Sequence, residues 1–210
     1  VDHDRDRKKT LQENLARIDR EYQGSSEVFH VSHVLYKDVG PEKIRENLKY
    51  TLKQLKIAAQ PGCHILWPSS VMAVKEENPF EPTMLIELCE ALGADVQPYS
   101  KLNGCCGMGA MRSTDAEKSL GLLKEKLVSM KHERDPDMIV TTCSSCYLQF
   151  DGGQKMLQDK GEIDFEIPVF YYTQILALCM GFDPKNVAAA SEIPRDEIIA
   201  KIQSPERMIN

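Results

Sequence analysis

From residue 55 onward, short apolar runs alternate with longer amphipathic stretches. The runs at 55–60, 94–99, 137–142 and 168–172 have the length and composition of strands. Between them, apolar residues recur at helical spacing near 82–92, 114–132 and 145–159. Strands that alternate with helices form a parallel sheet covered on both faces. The pattern therefore predicts an α/β fold, with a parallel sheet of about four strands flanked by helices.

The first part of the chain predicts a helical lead-in to this sheet. Residues 4–22 are highly charged, and Leu11, Leu15 and Ile18 fall on one helical stripe. A single narrow stripe is typical of a helix that packs against another part of the protein or a partner. Gly24 and the serines after it interrupt the pattern.

Proline and glycine mark further helix ends. Pro41 stands where the first turn of a helix tolerates proline, and the helical rhythm then continues over 43–55. Gly93 and Gly181 each follow an apolar helical stretch, as C-terminal caps do. A last short helix is predicted around 194–203.

Composition and charge exclude several classes of partner. The chain is 42% hydrophobic and 28% charged, which is ordinary for a soluble globular protein. Its net charge of −6 argues against nucleic acid and anionic membrane as main partners, because both select a basic face. No run approaches the roughly 20 apolar residues of a membrane span. The first residues have no signal-peptide character. Seven cysteines are an odd number, whereas a secreted, disulfide-stapled protein is usually shorter and has an even number, so we expect a reduced, cytoplasmic compartment.

Five of the seven cysteines follow predicted strands. Cys63 comes after the first strand, Cys105 and Cys106 after the second, and Cys143 and Cys146 after the third. Because the carboxyl ends of parallel strands meet at one edge of the sheet, where ligands bind, we expect these five side chains to converge. The pattern predicts an iron–sulfur or metal site at that edge.

The chemistry near these cysteines favours a metal but leaves its type open. A CxxC at the start of a helix presents two thiolates, and the helix N-terminus lowers their pKa. Neighbouring glycines such as Gly107 permit a close approach of the backbone. Thiolates select iron–sulfur clusters or zinc, and five exceed the four that either a zinc ion or a cubane cluster needs. An iron–sulfur cluster, a structural zinc ion and a chance grouping of reduced core cysteines remain as alternatives.

The other candidates have simpler interpretations. Cys89 and Cys179 lie in apolar helical stripes and are expected to be inert core thiols. His64 directly follows a predicted ligand and could donate a hydrogen bond or a proton, or simply face solvent. His30 and His33 could bind a metal, but packing or exposure is the better interpretation. Several further residues are predicted to wall the site or to be core (Trp67, Pro68), or to lie on solvated faces (Lys101, Arg112, Lys155).

The order Cys63…Cys105-Cys106-Gly107…Cys143-Ser-Ser-Cys146 resembles the CCG cysteine-rich domain. The neighbouring segments ALGADV and DMIVTTCSSCYLQFD fit the same pattern. The upstream segment FHVSHVLYKDVGPEKIRENL is similar to the region between the two CCG motifs of the B subunits of CoB–CoM heterodisulfide reductases. The resemblance extends over about residues 20–182.

The resemblance implies a noncubane [4Fe–4S] cluster held by the five cysteines. From their positions beside the cysteines, His64 and Gly107 are candidate neighbours of the site that do not bind the cluster. The resemblance further implies a subunit that reduces a disulfide, such as CoM-S-S-CoB, by one-electron steps, with iron–sulfur and flavin-containing electron donors as partners. Alternatives are an electron-relay subunit of a succinate or fumarate reductase or 2-hydroxy-acid oxidase type of complex, and a zinc-stabilised interaction module without enzymatic activity.

The resemblance also divides the chain into three segments. Residues 1–52 form the helical lead-in, 53–182 the CCG iron–sulfur domain, and 183–210 a tail with a short helix. Members of the family carry two CCG motifs and this chain carries only the second. We therefore expect it to be active only within a complex.

Overall fold

The computed structural model describes residues 4–25, 28–69 and 77–209. Its centre is a four-stranded sheet in the order β2-β1-β3-β4, and every neighbouring pair of strands is parallel. The strands are β1 (Lys56–Gln60), β2 (Asp95–Val96), β3 (Met138–Thr141) and β4 (Val169–Tyr171). The predicted α/β fold with a four-stranded parallel sheet is confirmed.

Helices connect the strands and cover the sheet. In chain order they are α1 (Arg5–Ala16), α2 (Val31–His33), a π-helical turn (Val34–Val39), α3 (Pro41–Glu46), α4 (Cys63–Leu66), α5 (Met84–Ala91), α6 (Ala110–Thr114), α7 (Ala116–Arg134), α8 (Ser144–Asp159), α9 (Tyr172–Cys179), α10 (Pro184–Val187), α11 (Asp196–Ile202) and a 3₁₀ turn (Pro205–Arg207). No helix in the described part of the chain is both long and apolar enough to cross a membrane.

Successive residues of the strands face two separate hydrophobic cores. Val140 and Phe170 point into one core, which also contains apolar side chains of α5 and α9. Ile139 and Val169 point into the other, which contains side chains of α7 and α8. Because both faces of the sheet are buried, its strands read as nearly continuous apolar runs in the sequence.

The register of the sheet determines where the strands end. Gln60 at the end of β1 lies beside Thr141 at the end of β3. The Thr141 hydroxyl donates a hydrogen bond of 2.8 Å to the carbonyl oxygen of Gln60, which ties the two ends together. The loops that follow β1 and β3 therefore start side by side at the carboxyl edge.

Two predicted elements are shorter in the structure. The helix from Pro41 ends at Glu46, so its predicted continuation over 43–55 is wrong beyond that point. The backbone N–H groups of Lys49 and Tyr50 instead both donate to the carbonyl oxygen of Cys179, each at 2.8 Å, and these long-range bonds replace the helical ones. Strand β2 is limited to two residues, Asp95 and Val96, and is shorter than the predicted run at 94–99.

The predicted helix ends are otherwise close to those observed. Gly93 and Gly181 both have φ +89° and cap α5 and α9, as predicted. The first helix, α1, ends at Ala16, before Gly24, and buries none of its residues. Ile18, which was predicted to extend the stripe of that helix, lies beyond it with 66% of its surface exposed.

The C-terminal segment packs against the same core as the sheet. Ile193, Ile198 and Ile202 are each at most 5% exposed. The carboxylate of Asp151 in α8 accepts hydrogen bonds from the Ser191 hydroxyl and from the backbone N–H of Ile193, at 2.6 and 3.1 Å. The predicted boundaries after residues 52 and 182 therefore lie between segments that are in contact, and the division itself stays a prediction.

Candidate metal centre

The five predicted thiols come together at the carboxyl edge of the sheet. The Cys146 thiol donates a hydrogen bond of 3.5 Å to the sulfur of Cys106. The thiols of Cys143 and Cys146 are hydrogen-bonded to each other, and so are those of Cys63 and Cys105. Cys105, Cys106 and Cys143 all lie close enough to Cys63 to act on it electrostatically. The three loops after β1, β2 and β3 thus build one group of free thiols.

The group is closed towards the protein and open towards solvent. Cys106 and Cys146 are only 4% and 2% exposed. Cys63 and Cys143 are half-buried, and Cys105 is exposed. A bound cofactor would therefore rest on a buried floor, and a small molecule could reach it from the side of Cys105.

Gly62 lets the first loop pass directly over the CxxC. Its φ is +95°, and a Cβ atom at this position would lie 2.7 Å from the Cβ of Cys143. Only glycine fits both the backbone conformation and the space. Cys63 follows, and burial, together with the charges of Cys105 and Cys106, raises its pKa to about 11.

The CCG turn depends on Gly107 in the same way. Gly107 has φ +87°, and a Cβ atom would collide with the backbone carbonyl of Ser119 in α7. The Ser119 hydroxyl donates a 2.7 Å bond to the carbonyl oxygen of Gly107, and the Gly107 N–H donates a 3.3 Å bond to the sulfur of Cys105. Gly107, predicted as a neighbour that does not bind metal, orients one of the five thiols.

The third loop places Cys143 and Cys146 at the start of α8. Cys143 is the N-cap residue, and its N–H donates to the Thr141 hydroxyl at 3.2 Å. The hydrogen bond from Cys146 lowers the pKa of Cys143 to about 6, with further help from backbone N–H groups of the first turn. Cys146 donates to both Cys106 and Cys143, which raises its own pKa. Its bond to Cys106 in turn lowers the pKa of Cys106 to about 7.

His64 is exposed and directly follows Cys63 in the sequence. It acts electrostatically on Cys143 and lowers the pKa of that thiol, so it lies near the group. Among the described contacts it makes no hydrogen bond to a cysteine.

Lys126 is a part of the site that sequence reasoning missed. It lies in α7 and is only 1% exposed. Burial lowers its pKa to about 8, and the thiols of Cys146, Cys106, Cys105 and Cys63 lie close enough to act on it electrostatically. The sequence could have identified it as a buried lysine, because Lys126 falls inside the apolar stripe formed by Leu123, Leu127 and Met130 of the same helix.

A polar chain under the thiols links the ends of three strands. The Tyr99 hydroxyl donates a 2.7 Å bond to the side-chain oxygen of Gln60, and both side chains are buried. Gln60 is bonded through its carbonyl to Thr141, which in turn accepts the N–H of Cys143. The sequence does not reveal this chain, because its members are separated widely along it.

The remaining candidates lie away from the thiol group or at its margin. Cys89 and Cys179 are fully buried on the other face of the sheet, as predicted for core thiols. Burial raises the pKa of both thiols. The Nδ1 atom of His30 shares a hydrogen bond of 2.6 Å with the Ser32 hydroxyl. The imidazole is also hydrogen-bonded to the backbone of Thr142, so His30 packs beside the CxxC loop.

The predicted surface residues differ in their surroundings. Lys101 and Lys155 form exposed ion pairs with Glu125 and Asp159, as expected of solvated lysines. Arg112 is instead half-buried and donates to the side-chain oxygen of Gln149 at 2.5 Å, so the prediction of a solvated arginine is wrong. The Trp67 ring is 38% exposed and contacts Phe80 edge to face, with centroids 5.1 Å apart.

The donor set fits a thiolate-bound group larger than one ion. As the side chains lie, no three or more His, Cys, Asp or Glu residues within the described ranges are arranged to hold a single metal ion. Five sulfur donors exceed the four ligands of a zinc ion or cubane cluster. Sulfur donors alone, with a buried cation near them, suit an anionic iron–sulfur group.

Comparison with known proteins agrees with this arrangement. The CCG cysteine-rich domain matches residues 57–151, which include all five thiols. A protein of Archaeoglobus profundus that is named for its likeness to the B subunit of heterodisulfide reductase is 55% identical over 94% of this chain and 66% of its own length. The B subunit of the ferredoxin/F420H2-dependent CoB–CoM heterodisulfide reductase of Methanosarcina acetivorans is 39% identical over 90% of this chain and 62% of its own length. The chain thus spans about two thirds of these relatives.

Two more distant similarities complete the comparison. The 8-methylmenaquinol:fumarate reductase membrane anchor subunit of Wolinella succinogenes is 30% identical over 88% of this chain and 63% of its own length. The crystal structure of a hypothetical protein from Helicobacter pylori superimposes with a TM-score of 0.63 at 11% identity, over 88% of this chain and 32% of that one, which shows a shared fold. By its domain match and its similarity to heterodisulfide reductase B subunits, the chain belongs to the CCG cysteine-rich domain family.

Proposed function

We propose that the chain is the iron–sulfur subunit of a heterodisulfide-reductase-like complex. It would reduce a disulfide, such as CoM-S-S-CoB, by one-electron steps at a noncubane [4Fe–4S] cluster. The observation that carries the proposal is the convergence of five thiols from three loops on one open site. The 55% identity to the Archaeoglobus relative of heterodisulfide reductase B subunits supports it.

The five cysteines would hold the cluster as thiolates. When bound, the cluster supplies one-electron redox capacity that amino-acid side chains lack. The lowered pKa of Cys143 and of Cys106 favours the anionic form that metal binding needs. Buried Cys106 and Cys146 would anchor the inner side, and the exposed side at Cys105 would admit the substrate.

The reaction consumes electrons and protons in equal number. The S–S bond of the disulfide breaks, and two electrons and two protons convert it into two thiols. The electrons come from iron–sulfur and flavin-containing partner subunits, which are oxidised. Protons would come from solvent, and the exposed imidazole of His64 near Cys143 would transfer one of them.

This role requires an assembly. The chain has one CCG motif and spans about two thirds of the relatives it matches. Electron donors would have to dock near the open site, because short distances favour one-electron transfer. Activity of the isolated chain with a disulfide is therefore not expected. The cytoplasmic location of the protein is a separate prediction from its sequence.

Anaerobic purification followed by iron, sulfide and zinc analysis and EPR spectroscopy tests the proposal. We expect about four iron atoms per chain and an EPR signal that changes when a disulfide or thiol substrate is added. Cys106→Ser should lose the iron, whereas Cys89→Ser, on the other face of the sheet, should retain it. Zinc without iron would overturn the proposal and favour the zinc-stabilised interaction module.

The similarity to the fumarate reductase subunit favours a second candidate, an electron relay in a reductase or oxidase complex. In that role the cluster passes electrons between partners, and no substrate enters the site. The two roles differ in what the purified complex reduces. Reduction of disulfides supports the first role, and reaction with quinones but not disulfides supports the relay.

A further inference from the structure

Lys126 is enclosed by the backbone of the loop that leads to the CCG turn. Its ammonium nitrogen donates hydrogen bonds of 2.6, 3.0 and 2.7 Å to the carbonyl oxygens of Lys101, Leu102 and Gly104. Three acceptors require three N–H donors, and only the protonated ammonium form has three. The structure therefore buries a positive charge inside this loop.

The charge of Lys126 is not balanced by a carboxylate in the described part of the chain. Within those ranges, Lys126 forms no ion pair with an aspartate or glutamate. The ionisable groups close enough to act on it are the thiols of the site, foremost Cys146, Cys106 and Cys105, and of these Cys106 has a lowered pKa. A buried ammonium without a counter-charge is strongly unfavourable, so its presence beside these thiols points to an anion that normally lies close by.

The same side chain connects the loop to the polar chain below the thiols. The ammonium lies 5.5 Å from the centre of the Tyr99 ring, whose hydroxyl is bonded to Gln60. Gly104, the third acceptor, directly precedes Cys105 in the sequence. A displacement of Lys126 would therefore shift the backbone that positions the two cysteines of the CCG turn.

We propose that Lys126 is a positioning residue of the cysteine site, which holds the 101–104 loop so that Cys105 and Cys106 meet the other thiols, and whose fixed charge stabilises the more anionic, reduced state of the bound cluster. The first part concerns the protein alone. The second part rests on the proposed iron–sulfur function.

Three substitutions separate the two parts. Lys126→Met keeps an unbranched side chain close to the length of the aliphatic part of lysine, but removes the charge and all three hydrogen bonds. Lys126→Gln keeps an amide donor and removes the charge, and Lys126→Arg keeps both charge and donors. Lys124→Met is the matched control, because Lys124 lies in the same helix and pairs with Glu162 at the surface.

The positioning role is measured in reduced, metal-free protein by the rate at which Cys106 is alkylated. Wild-type Cys106 is buried and should react slowly. Lys126→Met should raise the rate about tenfold or more, since local opening exposes the thiol. Lys126→Arg and Lys124→Met should react as the wild type does. An unchanged rate in Lys126→Met would overturn the positioning role.

The electrostatic role is measured by a redox titration of the cluster monitored by EPR. Loss of the charge in Lys126→Met and Lys126→Gln should shift the reduction equilibrium about tenfold towards the oxidised form, or about 59 mV for a one-electron couple. Lys126→Arg should restore the wild-type potential. Equal potentials in Lys126→Gln and Lys126→Arg would overturn this part.

A measurement on the wild-type protein covers the case in which the variants fail to fold. Acetylation with a lysine-selective reagent should modify Lys124 readily and leave Lys126 protected until the protein is unfolded. Equal labelling of the two lysines would overturn the enclosed position of Lys126. If the wild type binds no iron, the proposed function and the electrostatic role fail together, while alkylation and labelling still decide the positioning role.

Discussion

At the scale of single residues, the site depends on two glycines, which have no side chain, as much as on the cysteines. Gly62 and Gly107 have positive φ, and each leaves room for a neighbour that a Cβ atom would displace. The thiols differ in protonation because they hydrogen-bond in a chain, with Cys146 as the donor to both Cys106 and Cys143. Identical residue types thus acquire different chemistry through their contacts.

Gly62→Ala should disrupt the site. The new Cβ atom would lie 2.7 Å from the Cβ of Cys143, and the alanine would be strained at φ +95°. We expect a loss of about 1–3 kcal/mol in the free energy of unfolding and a lower iron content. Gly152→Ala is the control, because no atom lies within 4 Å of its Cβ position, and it should stabilise α8 by about 0.5–1 kcal/mol. Equal iron content in the two variants, measured after reconstitution, would contradict the prediction.

The thiols of the metal-free, reduced protein should titrate in order. Cys143, with a pKa of about 6, should be a thiolate at neutral pH, and its alkylation rate should fall only as the pH drops through 6. Cys63, with a pKa of about 11, should still gain reactivity at alkaline pH. Rates measured by mass spectrometry from pH 5 to about pH 10 test this order.

The Cys143 prediction has a direct control. Cys146→Ala removes the hydrogen-bond donor and should move the Cys143 inflection upward, towards the ordinary cysteine pKa. An inflection that stays near pH 6 in this variant would show that the bond from Cys146 is not the cause.

At the scale of elements, long-range hydrogen bonds decide where helices end and how the tail is attached. Helix α3 stops because the following backbone bonds to Cys179. The tail before α11 is held by Arg195, which is 4% exposed and donates to the carbonyl oxygens of Val169, Ala188 and Ala190 at 3.1, 2.6 and 2.5 Å. One side chain thus joins β4 to the segment between α10 and α11.

Arg195→Met should destabilise the protein. It leaves the buried carbonyl groups of Val169 and Ala188 without this donor, whereas that of Ala190 keeps the Tyr147 hydroxyl, and each unsatisfied buried group costs about 1–3 kcal/mol. We expect a loss of at least about 2 kcal/mol, seen as a lower urea midpoint at unchanged slope. The control Arg45→Met changes an exposed arginine and should shift the midpoint little. A midpoint equal to that of the control would show that the tail is held by its apolar contacts alone.

At the scale of the whole molecule, the segments before and after the sheet complete its core. Leu52 is fully buried in the apolar cluster on one face of the sheet, and the tail contributes Ile198 and Ile202 to the same cluster. Helix α1 is different, because it buries no residue. Contributions to the core therefore do not follow the three predicted segments.

A fragment of residues 53–182 should not fold to a stable native state. Burial of each isoleucine side chain contributes about 1.5–3 kcal/mol, so the three buried isoleucines of the tail together approach the whole stability of a typical domain. We expect the fragment to bind the dye ANS and to lose its near-UV circular dichroism. Residues 26–210, which lack α1, should remain folded. A cooperative unfolding transition of the 53–182 fragment would instead support the predicted domain boundaries.

The elements that the sequence predicted well are those in which local pattern and tertiary packing agree. The helices after 114 and 145 and the strands after 55 and 137 lie within a few residues of their predicted ends. The helix from Pro41 was predicted too long, since periodicity does not reveal that Lys49 and Tyr50 bond to a distant carbonyl. For the site, the cysteines were all identified, but the environment of Arg112 and the role of Lys126 were not.

The sequence by itself determined the parallel sheet and the loops that carry the five thiols, because strand periodicity and the position of each cysteine after a strand are local properties. Only the tertiary structure decided which thiols donate to which, that Cys105 faces solvent while Cys106 is buried, and that Lys126 lies enclosed beside them. These features depend on contacts between residues far apart in the chain. They arise from packing and burial, which are set when the helices close over the sheet.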